Sequence, residues 1–270
     1  MIKHWGTPSI NPFITMKCNY DCEYCIVRQT PGHNDNFDLL SGGEWIEILN
    51  ALEDVENYIF NGGEPTLHPD FVQIIDGLKP CNHIGIGTNL ATEKSFQKLL
   101  SLQERSGGEL IIDVSLHPDA NIPKIIERVK KLRDKNRARV HIVDWPGWFG
   151  MDKLLKKQIQ QAGIETFILP FQGFYKGEYY PGADWHDLRI DACSRIFKKN
   201  ALCYPTIYRP VGPDGSVWFC HAGLYMKDER FIMGNLADGW LDFPTSFKCD
   251  IYGYCNSCDL PRKIEVLDEN

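Results

Sequence analysis

From residue 9 to residue 169 the chain alternates short apolar runs with amphipathic stretches, and this rhythm limits the folds open to it. Runs at 9–16, 57–60, 84–87, 110–116, 140–143 and 167–169 read as strands. Between them apolar residues recur at helical spacing: Trp45, Ile48, Leu49 and Leu52, then Phe71, Ile74, Ile75 and Leu78, then Phe96, Leu99 and Leu100. Two further helices carry Ile125, Ile126, Val129 and Leu132, and Leu154, Leu155 and Ile159. Ser41 with Glu44 three residues later has the form of a capping box, Thr92 is a second cap, and Gly163 is a stop. Parallel neighbours need crossovers of this length, so six strands separated by five helices predict an α/β fold with a parallel sheet. The pattern alone fits a partial barrel or a doubly wound open sheet.

The first strand runs into Cys18-Asn19-Tyr20-Asp21-Cys22-Glu23-Tyr24-Cys25. Three cysteines in eight residues cannot complete a tetrahedral site, so a fourth ligand must come from elsewhere. A zinc loop is one reading. An iron–sulfur cube with one open iron is the other, and an open iron can bind and activate a small molecule. The second strand ends in Gly62-Gly63-Glu64-Pro65, where glycines permit close approach of the backbone to a ligand and Glu64 can accept from an ammonium.

The unequal cysteine gaps, Tyr24 before the last cysteine and the Gly-Gly-Glu-Pro run one strand later resemble the radical S-adenosylmethionine (radical SAM) superfamily. The resemblance implies a partial (β/α)6 TIM-like barrel over 1–181, with Cys18, Cys22 and Cys25 holding a [4Fe-4S] cluster. It also implies that Tyr24, Gly62, Gly63, Glu64 and Pro65 bind S-adenosylmethionine. Asn89 and Ser115, at the ends of the third and fourth strands, would join them. His117 reads as a strand terminator before Pro118, and Asp144, Trp145 and Trp148 as pocket lining or a packed aromatic cluster. The aromatic and glycine-rich stretch 171–182 reads as a lid or junction.

Residues 182–270 begin with an expected linker helix at 184–198 and continue into a cysteine-rich tail. Pro213-Asp214-Gly215 reads as a hairpin turn between flanking strands. Cys203, Cys220, Cys255 and Cys258 resemble the Twitch form of the SPASM domain, which implies an auxiliary [4Fe-4S] cluster on those four. A zinc ribbon is the alternative. Cys249 is an additional cysteine that could replace one of the four. Cys81, Cys193 and Cys249 otherwise read as buried small hydrophobes, or as the hydrogen-atom donor that a radical epimerase requires.

The composition is that of an ordinary globular domain, with 43% hydrophobic and 24% charged residues. A net charge of −7 argues against nucleic acid as a partner. No apolar run approaches a membrane span, and the first residues lack the form of a signal peptide. Ten cysteines then point to a reducing, anaerobic cytoplasmic setting. The resemblance implies reductive cleavage of S-adenosylmethionine to a 5′-deoxyadenosyl radical that abstracts hydrogen from a small-molecule or peptidyl substrate. Oxidation assisted by the auxiliary cluster is the expected outcome, with flavodoxin or ferredoxin as electron donor. A peptide epimerase or cross-linking maturase is the alternative, and a zinc-stapled binding module is a more distant one.

Overall fold

The computed structural model describes residues 9–30, 32–102, 108–117, 120–181, 199–204, 209–241, 244–252 and 264–266. The expected linker helix at 184–198, Cys193, Cys255 and Cys258 lie outside them. The first part of the chain runs β1 (Ser9–Pro12), α1 (Gly42–Asn50), β2 (Asn57–Phe60), α2 (Phe71–Gly77), β3 (His83–Thr88) and α3 (Glu93–Ser101). It continues through β4 (Glu109–Leu116), α4 (Ile122–Arg133), β5 (Arg137–Asp144), α5 (Met151–Gln161) and β6 (Thr166–Pro170).

These six strands lie side by side in chain order, and every neighbouring pair is parallel. That order separates the two folds the sequence leaves open. A doubly wound sheet reverses direction at a switch point and carries helices on both faces. A sheet wound in one direction with right-handed crossovers places all its helices on one face. Alternation along the strands agrees with the second. Ile86, Ile112, Val140 and Ile142 are wholly buried, whereas Asp113, Ser115, Arg139 and His141 between them are only partly covered. Each fully buried Ile or Val contributes roughly 1.5–3 kcal/mol of burial free energy.

Local signals place the helices. Ser41 accepts from the Glu44 N–H at 3.3 Å, and Glu44 accepts from the Ser41 N–H at 2.7 Å, which closes the capping box of α1. Thr92 caps α3 through the Ser95 N–H at 3.0 Å. Asp70 precedes α2 but spends its carboxylate on the Gly42 N–H at 2.8 Å, tying the starts of two helices together.

Beyond β6 comes a hairpin of β7 (Gln172–Tyr175) and β8 (Glu178–Pro181), turned by Lys176 and Gly177, both with positive φ. The tail holds β9 (Lys199–Cys203), β10 (Arg209–Val211), β11 (Ser216–Trp218), α6 (His221–Met226), β12 (Ile232–Asn235), β13 (Trp240–Leu241), β14 (Phe247–Tyr252) and β15 (Ile264–Val266). The hairpin expected around Pro213-Asp214-Gly215 is present as β10 and β11. β10 pairs in parallel with β1, so β10 to β13 extend the main sheet on its free side. β14, β9 and β15 form a separate antiparallel sheet. No helix among the described residues is long and apolar enough to cross a membrane.

Candidate cofactor site

The carboxyl ends of the parallel strands carry the site, as in other α/β folds of this class. The chain leaving β1 passes Phe13 to Lys17 before the cysteine loop, and the loop after β2 lies directly against it. The Gly63 N–H donates to the Thr15 carbonyl at 3.1 Å, and the Glu64 N–H to the Lys17 carbonyl at 2.8 Å. A Cβ on Gly63 would stand 2.2 Å from the Lys17 carbonyl oxygen and 2.4 Å from that of Met16. Gly62, at φ +137°, would meet the Thr15 carbonyl oxygen at 2.4 Å. The two glycines therefore permit close approach of the chain to itself, at the root of the cysteine loop. This is a different reason for glycine from the ligand approach the sequence suggests.

Glu64 is wholly buried. Its carboxylate accepts from the Thr66 hydroxyl at 2.6 Å, the Thr66 N–H at 3.2 Å, the Thr88 hydroxyl at 2.9 Å and the Asn89 N–H at 2.7 Å. Burial pushes its carboxyl up, against these hydrogen bonds, which favour the charged form. Glu64 thus joins the ends of β2 and β3, with Pro65 buried beside it at the start of a short 3-10 turn. Asn89 carries the connection onward. Its side-chain amide donates to Asn19 Oδ1 at 2.8 Å and lies 3.8 Å from Cys18 Sγ.

The three cysteines are half-buried. Burial raises the Cys18 thiol and pushes Cys22 up to about 11; hydrogen bonding lowers both, and the neighbouring cysteine sulfurs raise both. As thiolates the three would repel one another unless a cation lay among them. The donor set therefore fits a metal cluster, whose positive charge would deprotonate the ligands on binding.

His117, which the sequence offers only as a strand end, lies at the centre of this loop. Its Nδ1 is 2.6 Å from the Tyr24 hydroxyl and 3.1 Å from Cys22 Sγ. Its ring stacks on Tyr24 at 5.9 Å and tilts over Tyr20 at 4.8 Å. Ser115 lies two residues before it on β4, in register with His141. Trp145 packs against Tyr24 at 5.0 Å and edge-on to Tyr175 of the β7–β8 hairpin at 5.3 Å. Trp145, Tyr175, Glu23 and Lys176 line an open cavity of about 250 Å³. Trp148 is buried and packs in the core instead.

Lower on the uncovered sheet face, Asp113 pairs with Arg139, and His141 Nε2 lies 3.2 Å from Asp113 Oδ1. Burial raises the Asp113 carboxyl, but His141 and Arg139 outweigh it and bring it down to about 2.

In the tail, Cys203, Cys220 and Cys249 are buried. Cys203 opposes Phe247, and Cys249 lies two residues further along β14, so both point to the same face of that sheet. Phe247 packs on Phe219, the neighbour of Cys220, at 5.2 Å. Among the described residues, those of the cysteine loop included, no group of three His, Cys, Asp or Glu side chains is already set at metal-binding distance. Cys81 is buried before β3, with roughly 16 Å of strand between it and the site at the other end.

Residues 13–142 match the family model of the Radical SAM superfamily. An S-adenosylmethionine-dependent nucleotide dehydratase from Selenomonas ruminantium is 40% identical over 70 residues, covering 25% of this chain and 24% of that protein. A probable GTP 3',8-cyclase from Saccharolobus islandicus is 31% identical over 121 residues, covering 43% and 38%. The chain thus spans about a quarter to two fifths of these curated relatives. Among solved structures, Streptococcus suis SuiB bound to S-adenosylmethionine superposes with a TM-score of 0.59 at 14% identity, over 88% of this chain and 66% of that one. At that identity the likeness is one of fold.

Proposed function

We propose that the chain is a radical SAM enzyme that binds S-adenosylmethionine on a [4Fe-4S] cluster and abstracts a hydrogen atom from a substrate, giving net oxidation; the family match over residues 13–142 supports this. The observation that carries this reading is the pair of hydrogen-bonded sets on the cysteine loop, Cys18–Asn89–Glu64 on one side and Cys22–His117–Tyr24 on the other. When bound, the reduced cluster supplies one electron to the sulfonium of S-adenosylmethionine, releasing methionine and a 5′-deoxyadenosyl radical. The chain's own residues position and shield. Cys18, Cys22 and Cys25 would hold the cluster. Gly62, Gly63 and Pro65 shape the loop against which the cofactor's methionyl end would lie, and Glu64 fixes that loop to Asn89. Ser115 would contact the cofactor from the end of β4. Trp145 and Tyr175 present an aromatic wall that would keep water from the reacting carbon.

For the tail we propose that 182–270 is an auxiliary-cluster unit following a 1–181 core, with Cys203, Cys220, Cys255 and Cys258 as its ligands. Cys203 and Cys220 are both buried, and Phe247, opposite Cys203, packs on Phe219 beside Cys220, which supports this. An external flavodoxin or ferredoxin would supply electrons. The curated relatives are named for chemistry on nucleotides, which favours a small-molecule substrate over a peptidyl one.

The test is release of 5′-deoxyadenosine, measured by mass spectrometry after anaerobic reconstitution with iron, sulfide and reductant. Wild type should release it on addition of S-adenosylmethionine, and Cys22→Ala should not. Iron-loaded wild type that neither binds nor cleaves S-adenosylmethionine would sink the proposal and favour a metal-stapled binding module.

A further inference from the structure

We propose that His117 is a positioning residue for the cluster. It fastens Cys22 and Tyr24 to the end of β4, and it donates its Nδ1–H to the Cys22 sulfur once that cysteine is a thiolate ligand. The inference rests on the cofactor reading above and adds to it a residue to which that reading gives no role. One ring nitrogen serves two groups, at 2.6 Å from the Tyr24 hydroxyl and 3.1 Å from Cys22 Sγ. Its ring is held between Tyr24 and Tyr20, so the imidazole has a defined orientation.

With Cys22 a neutral thiol, the Nδ1 lone pair can accept from the Tyr24 O–H. A thiolate has no proton to offer and can only accept. The tautomer that carries hydrogen on Nδ1 then satisfies the sulfur, which lies 3.1 Å away. Hydrogen bonds to cluster sulfurs help set reduction potential, because the reduced cluster carries one more negative charge and gains more from a donor. Removing the donor should therefore make the cluster harder to reduce.

The experiment uses the full chain, anaerobically reconstituted, as wild type, His117→Asn and His117→Leu. An Asn side-chain amide can place a donor near the Nδ1 position, and Leu is of similar shape without one. Two quantities are read: iron and sulfide per chain, and the midpoint potential of the electron paramagnetic resonance signal that changes on adding S-adenosylmethionine. At the wild-type midpoint, His117→Leu should show a reduced-to-oxidised ratio lower by about tenfold, equal to roughly 59 mV for a one-electron couple. His117→Asn should stay within about threefold of wild type, allowing for the usual scatter of a single hydrogen bond. Loss of iron by the Leu variant alone would support the fastening role, since the donor is the main difference between the two. Asn and Leu variants that coincide in potential and iron content would overturn the inference. Wild type that takes up no cluster would instead overturn the cofactor reading on which it rests.

Discussion

Replacing Gly63 by Ala tests whether the cysteine loop is rooted by backbone contact. The added Cβ would stand 2.2 Å from the Lys17 carbonyl oxygen and 2.4 Å from the Met16 carbonyl oxygen. Comfortable C···O contacts begin near ~3.3 Å, so the two backbone segments must part by about 1 Å. Neither contact is the tip of a flexible side chain, so no rotamer change relieves it. Overpacking of this kind costs about 1–3 kcal/mol. Parting the segments also strains the Gly63–Thr15 and Glu64–Lys17 hydrogen bonds, each worth about 0.5–1.5 kcal/mol. The expected loss is about 2–6 kcal/mol, or roughly thirtyfold to ten-thousandfold in the folding equilibrium. Gly43→Ala is the control. Gly43 is in the first turn of α1, where an added Cβ would meet nothing within 4 Å, and Ala there should stabilise by about 0.5–1 kcal/mol. Urea unfolding followed by circular dichroism gives both values, and iron content after reconstitution reports the loop. Gly63→Ala that unfolds at the wild-type midpoint and takes up wild-type iron would refute the steric argument.

Two further outcomes are expected. The Asp113 carboxyl is brought to about 2, below its unfolded value, so its contribution is fully present above about pH 4 and is lost as pH falls through about 2. Asp113→Asn should cost about 2 kcal/mol at pH 7, and its gap to wild type in urea unfolding should narrow as pH drops from about 5 to 3; a gap that does not change with pH would contradict this. In the tail, Cys203→Ala should remove about four irons per chain, whereas Cys249→Ala should leave the iron count unchanged. The reverse result would place Cys249 in the ligand set.

Much of the core is legible in the sequence because its signals are local. The capping box at Ser41, the cap at Thr92 and the 3.6-residue recurrence of apolar side chains each depend on residues a few positions apart. The order of strands is not local. Both the sequential parallel sheet and a doubly wound one satisfy the same alternation, and only long-range pairing distinguishes them. The short β7 and β8 pair has little apolar periodicity of its own, so 171–182 looks like a junction until the turn at Lys176 and Gly177 is seen. Gly62 and Gly63 announce a close approach without saying what approaches. The sequence marks His117 only as a strand end, because its partners Cys22 and Tyr24 are 95 and 93 residues away and no periodicity links them.

The pairing of β1 with β10 joins residues Ile10 and Arg209 across most of the chain. During synthesis, at roughly 5–20 residues per second, about 200 residues must be added before that partner exists. For some 10–40 s the strand that delivers the cysteine loop has one edge with unpaired N–H and C=O groups, open to other nascent chains. Tail and core are thus coupled in time as well as in space. A chain released before residue 211 would present an unfinished sheet beside Cys18, Cys22 and Cys25.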